Sequence, residues 1–158
     1  MEACLPDSAM AGLSDVQKIK KLIERSFDEQ PWYGPSVIET IKDISSKKAS
    51  NRLAESHSII ELVCHMTAWR NFVINQLRGN PREISEVENF PIPTTWEEAL
   101  TGLKQSQSDL LKAIDSFPES RLNEKVPLRE YRFHFMLNGI VQHDIYHIGQ
   151  IALLKKFS

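Results

Sequence analysis

The chain has 158 residues, 41% hydrophobic and 25% charged, with a formal net charge of -2. This length suits one domain with one core, and the lack of a basic excess excludes the polyanion-binding classes, so we expect no nucleic-acid partner. The sequence has neither a basic start followed by an apolar run nor the ~18 consecutive apolar residues of a bilayer span, so we expect no export signal and no membrane partner. Two cysteines, Cys4 and Cys64, indicate neither a disulfide framework nor a thiolate metal site and favour the cytoplasm.

The first predicted helix begins at Ser14, whose hydroxyl and the Gln17 side chain form a capping box. It ends before Pro31, and its apolar stripe consists of Val16, Ile19, Ile23 and Phe27. We expect residues 1–13 to be a flexible N-terminal segment and residues 14–158 to form one helical domain.

A long connection, residues 31–56, follows the first helix. It opens with a turn at 31–36, and Ser36 is placed to cap a short helix over Val37–Ile44. Adjacent antiparallel helices need far fewer connecting residues, so we expect a crossover between the first and second long helices.

The second and third long helices each begin with a capping box, Ser58 with Glu61 and Thr95 with Glu98. The second should extend to about Arg78. At 100° per residue its apolar face is centred on a histidine. The members of this face are Leu62, His65, Trp69, Phe72, Val73 and Gln76. The stripe of the third helix consists of Trp96, Leu100, Leu103, Gln107, Leu110, Ile114 and Phe117.

The fourth long helix begins near 131–133 and contains His143 and His147 four residues apart, which places both imidazoles on one face. Apolar residues continue that face, so the imidazoles point inward: Met136, Ile140, Ile151 and Leu154. A buried polar ring without a partner is costly, and two such ring nitrogens can share a metal ion. The alternative is a pair of core histidines satisfied by ordinary hydrogen bonds.

Four amphipathic helices without any strand pattern predict an all-α protein, a four-helix bundle with a metal site built from the second and fourth helices. His134 lies on the opposite face of the fourth helix and His57 precedes the Ser58 cap, so we expect neither of them to join the site.

Three segments resemble the DinB/YfiT-like family of metal-binding four-helix bundles: the turn from Trp32 to Ser36, HSIIELVCHMTAWR at 57–70, and GIVQHDIYHIGQIALLKK at 139–156. The most specific part is one histidine on the second helix combined with HDxYHxGQI on the last. The resemblance implies an up-down-down-up topology and one divalent metal ion held by His65, His143 and His147. The family includes thiol-dependent enzymes that handle bacillithiol, mycothiol or glutathione conjugates, which implies a low-molecular-weight thiol as a small-molecule partner.

Three neutral imidazoles leave coordination positions open, where a water is acidified or a thiolate is held. The ligands leave both reactions possible, and the family resemblance implies a metal-dependent thiol S-transferase-like enzyme. The alternatives are a metal-dependent hydrolase and a non-catalytic, stress-associated metal-binding protein. Imidazole suits several metals, with zinc or nickel favoured, and no organic cofactor or catalytic side chain is assigned.

Ligating histidines usually donate their second N–H to a neighbouring acceptor. Helical spacing makes Asp144, Gln150 and Glu61 the candidates, with Asp144 favoured. The alternative for Asp144 is a solvated or interhelical charge.

The fourth and second helices also carry apolar residues away from the histidines: Leu137, Val141, Ile148 and Ala152, and Ile60, Val63 and Ile74. If these back faces are exposed, they indicate a partner surface, so we expect a homodimer formed through them. The alternative is that the crossover at 31–56 covers them.

Overall fold

The computed structural model describes residues 10–93 and 95–157, and it is all-helical. Residues 1–9, most of the predicted flexible segment 1–13, lie outside the described residues. Among those described, the only β-type pairing is an isolated antiparallel bridge between Lys125 and Arg132. In chain order the elements are α1 (Asp15–Asp28), α2 (Val37–Ile41), α3 (Ser46–Ser50), α4 (Ile59–Leu77), α5 (Glu86–Asn89), α6 (Trp96–Asp115), a 3-10 turn (Glu119–Arg121) and α7 (Phe133–Phe157). None of these helices is long and apolar enough to cross a membrane.

The three predicted capping boxes are present at the starts of α1, α4 and α6. In each, the side chain of Ser14, Ser58 or Thr95 accepts a backbone N–H three residues later, and the glutamine or glutamate at that position accepts the cap's own N–H. Each box satisfies two backbone donors that the first helical turn leaves without partners. The starts of these three long helices were therefore predicted correctly, and α7 begins at Phe133, within the predicted range 131–133.

The crossover differs from its prediction. The expected helix Val37–Ile44 ends at Ile41, and a second helix, α3, follows with Ser45 as its cap. The α2 helix packs against α1 and α7, while α3 packs against α4 and α6. The indole Nε1 of Trp96 donates to the carbonyl oxygen of Ile44 at 2.8 Å, which fixes the crossover to α6.

The core consists of two clusters, one at each end of the long helices. The first contains residues from the first nine positions of α1, the second halves of α4 and α6, and the first half of α7. The second contains the end of α1, the first halves of α4 and α6, the second half of α7, and residues of the crossover. The α4 helix packs against α6 and α7, and α1 packs against the same two helices.

Most residues of the back faces that were expected to be exposed are buried, whereas Val141 and Ala152 are half-buried. Leu137 and Val63 are completely inaccessible, and Ile60, Ile74 and Ile148 are at most 5% exposed. The reason is that α6 and α3 cover α4, while α1 and α2 cover α7. The exposure that motivated the homodimer was predicted wrongly, and the homodimer stays a prediction without that support.

Candidate metal centre

Three histidines from two helices converge near the middle of the molecule. The Nε2 atom of His143 lies 3.0 Å from Nε2 of His65 on α4 and 3.1 Å from Nε2 of His147 on α7. His65 and His147 are buried, and His143 is partly buried. Because His143 and His147 are one helical turn apart, α7 presents both rings to α4 on the same face, one above the other. The structure thus brings together the three histidines that the sequence singled out.

The tautomers of two of these histidines are fixed by oxygen acceptors. The Nδ1 atom of His65 lies 2.6 Å from the backbone carbonyl oxygen of Asn89, and Nδ1 of His147 lies 2.6 Å from Oε1 of Gln150. Both oxygens accept, so each Nδ1 carries the hydrogen and each neutral ring has its lone pair on Nε2. Both lone pairs face the centre of the cluster, where His143 could donate to only one of them.

Burial favours the neutral form of all three rings. It lowers the pKa of His65 and of His147. The pKa of His143 falls to about 3, chiefly through burial and then through the neighbouring His147, His65 and Arg70. Neutral imidazole is the form that ligates a metal, so no proton has to be displaced from these rings near neutral pH.

The distances fit a divalent ion. Metal–nitrogen bonds of 2.0–2.1 Å with angles between octahedral and tetrahedral values separate ligand nitrogens by about 2.8–3.4 Å. The two close Nε2 separations, 3.0 and 3.1 Å, lie within this range. The ligand atoms of the three residues all lie within 4.8 Å of one another. If hydrogen bonds alone held the cluster, one of the two Nε2 lone pairs of His65 and His147 would have no hydrogen-bond donor. The three nitrogen ligands therefore fit a metal ion better than they fit a set of hydrogen-bonded core histidines.

The loop that contains α5 forms one wall of the site, and the sequence analysis assigned it no role. The ring of Phe90 stacks on His65 at a centroid distance of 4.1 Å, and its other face stacks on His57 at 4.0 Å. Asn89 accepts from His65 through its backbone and from the Trp69 indole through its side chain, at 2.9 Å. Ser85 and Glu88 form a capping box at the start of α5, and this local pattern could have revealed the helix.

The three predicted neighbours of the ligands have different contacts. Gln150 contacts His147, as predicted. Asp144 instead accepts from Arg70 at 2.5 Å, and both side chains are almost completely buried. Glu61 caps α4 through Ser58 and pairs with Arg52. These contacts correct the assignments of Asp144 and Glu61, because Asp144 pairs with Arg70, and Glu61 lies at a helix start beside Arg52 and His57 rather than beside His65.

The remaining histidines and the cysteine of α4 lie apart from the cluster. His134 is exposed on α7, and His57 is turned to the outer face of Phe90. The free thiol of Cys64 lines a cavity between α4 and α6, and burial raises its pKa. Among the described residues, the group able to hold a metal consists of His65, His143 and His147.

The fold and the site define an all-helical protein with a buried three-histidine cluster compatible with a metal ion. The sequence model of the DinB superfamily matches residues 25–151. Because this match covers most of the chain, the protein belongs to the DinB superfamily. No curated protein matches the chain.

Proposed function

We propose that this protein binds one divalent metal ion through Nε2 of His65, His143 and His147. The observation that carries the proposal is the pair of carbonyl oxygens, from Asn89 and Gln150, that turn two Nε2 lone pairs toward a common point. Zinc is the first candidate and nickel the second, because imidazole suits both. The distribution of the two core clusters along the helices also supports the proposed up-down-down-up order.

We further propose that the site transfers a low-molecular-weight thiol to an electrophile: a carbon–sulfur bond forms, the bond from that carbon to the leaving group breaks, the leaving group departs as an anion, and the thiol proton passes to water. When bound, the ion would supply Lewis acidity that lowers the pKa of a thiol at its open positions. The three rings are neutral and leave the ionic charge uncompensated. Their contribution is to hold the ion rigidly, since His65 is clamped between Asn89 and Phe90 and His147 is held by Gln150.

The carboxylates near the site favour thiol transfer over hydrolysis. A hydrolase with a metal-activated water commonly uses a carboxylate or histidine as a general base. Asp144 is paired with Arg70, and Glu61 is held by Ser58 and Arg52, so neither carboxylate is free to take a proton from water at the histidine cluster. A thiol ionises more readily than water and needs no such base.

Metal analysis of the purified protein tests the first proposal. We expect one zinc or nickel ion per chain and a large loss of metal in His143→Ala. His134→Ala is the matched control, because His134 is exposed on the same helix, and it should retain the ion. Full metal content in His143→Ala would refute the assignment.

The cobalt-substituted protein tests the second proposal. Cys64→Ser should be used as the background, so that the protein's own thiol does not contribute. Millimolar thiol should then produce a sulfur-to-cobalt charge-transfer band together with turnover of a haloaromatic acceptor. A protein that binds cobalt normally but shows no spectral change with any thiol is not a thiol transferase; ester turnover would then indicate a hydrolase, and its absence a non-catalytic binder.

A further inference from the structure

A small cavity of about 260 Å³ opens directly beside the histidine cluster, between the second half of α4 and the first half of α7. His143 forms part of its wall, so the cavity and the candidate metal centre share a side chain. Half of the other lining residues are aromatic, namely Trp69, Phe72, Tyr131 and Phe135, and the rest are aliphatic side chains and a glycine. A ligand placed here would lie next to the ring of His143.

The aromatic side chains are held in fixed orientations. Trp69 and Phe72 meet edge to face, with a centroid distance of 5.3 Å and an interplanar angle of 67°. The indole N–H of Trp69 is already bound to Asn89, so Trp69 offers the cavity an apolar face. Tyr131 and Phe135 lie 5.5 Å apart at the start of α7. Phe135 is 65% exposed, which leaves an apolar ring at the rim of the cavity.

Gly139 provides much of the open space. It lies one helical turn before His143 on the cavity side of α7, and a Cβ atom built on it meets no atom within 4 Å. Glycine in a helix interior destabilises the helix relative to alanine. The absence of a side chain at Gly139 leaves room for a ligand, whereas any other residue there would project a side chain into the cavity.

We propose that this cavity, the aryl pocket, binds a planar aromatic group of the electrophilic substrate. Its size suits one substituted ring or two fused rings, since an apolar cavity of about 150 Å³ is known to hold benzene. The edges and faces of the surrounding rings attract another aromatic ring more strongly than an alkyl group of the same size. The role in catalysis rests on the proposed metal-dependent transfer, whereas the binding of the aryl group does not.

A larger cavity elsewhere is a poorer candidate for this group. It measures about 610 Å³ and lies between α4, α6 and the loop at 82–92. None of the three histidines contributes to its wall, which includes the charged side chains of Arg78, Glu88 and Asp109. An aryl group bound there would be separated from the histidine cluster by α4 and surrounded by polar groups.

Binding of 1-naphthol, measured by calorimetry on the metal-free and the metal-loaded protein, tests the inference. We expect binding in both forms, and weaker binding of the saturated analogue decahydro-1-naphthol. Gly139→Leu fills the pocket and should weaken naphthol binding by at least about tenfold. Gly149→Leu is the control, because Gly149 lies on the same helix with equally open surroundings but on the exposed face, and it should bind as the native protein does.

A second variant covers the case in which Gly139→Leu does not fold. Phe135→Ala removes a mostly exposed ring and should weaken naphthol binding about threefold to tenfold without loss of helical circular dichroism. Native affinity in both variants, or equal binding of the saturated analogue, would overturn the aryl pocket. If the native protein binds naphthol but binds no metal ion, the proposed function is refuted and the aryl pocket is not.

Discussion

The buried ion pair between Arg70 and Asp144 should be among the most sensitive points of the fold. Their side chains are 0% and 2% exposed, and one guanidinium nitrogen lies 2.5 Å from the carboxylate. The guanidinium also lies over the ring of Phe27, 4.8 Å from its centroid. Nε and Nη1 of Arg70 and Oδ1 of Asp144 have no hydrogen-bond partner. The pair thus compensates each charge while leaving several polar atoms unsatisfied.

Replacing one partner of the pair should lower the free energy of unfolding much more than replacing both. Asp144→Ala leaves a guanidinium without a counter-charge in a site from which water is excluded, and breaking such a pair typically costs about 3–5 kcal/mol of unfolding free energy. Arg70→Met leaves a carboxylate whose pKa is already raised by burial. The double variant Arg70→Met/Asp144→Leu buries no charge and should recover most of that loss.

Urea unfolding of the metal-free proteins measures these differences without a contribution from bound metal. We expect a coupling energy of at least about 2 kcal/mol between the two positions in the double-mutant cycle. Single variants that each lose less than about 1 kcal/mol, or a double variant that equals their sum, would contradict this account of the pair. Asp144→Asn, which keeps the shape of the side chain, should retain one metal ion per chain, because Asp144 does not contact a histidine.

Three further predictions follow from individual contacts. Gln150→Ala should weaken metal affinity about 10–100-fold, because it removes the acceptor that orients His147. Gln142 is exposed on the same helix, so Gln142→Ala should keep the native metal affinity. Equal metal affinities in the two variants would contradict the role of Gln150 in orienting His147. Ser58→Ala should lower the free energy of unfolding by about 1 kcal/mol, since it removes the α4 cap, and an unchanged urea midpoint would argue against the capping box. Gly139→Ala should raise the thermal midpoint, because a methyl group there meets open space and alanine favours the helix by about 1 kcal/mol; a lower midpoint would show that the space is not open.

The sequence alone was sufficient to predict a structural feature wherever the interaction that determines it is local. The capping boxes at Ser14, Ser58 and Thr95 join atoms only three residues apart, so the residue types at those positions fix both partners. The same holds for the pairing of His143 with His147 and for the contact between His147 and Gln150, which lie within one helical turn. Position on the wheel and the family resemblance then added His65.

Tertiary structure decided every contact between distant segments. The acceptor for His65 is a backbone carbonyl 24 residues away, and every residue carries such a carbonyl, so no sequence pattern points to Asn89. The partner of Asp144 is Arg70, 74 residues away, rather than its neighbour on α7, because the packing of α4 against α7 sets which side chains meet. The apolar back faces looked exposed only while the positions of α2 and α3 were unknown. Spacing within a helix determines which residues share a face, whereas the packing of the helices determines what that face touches.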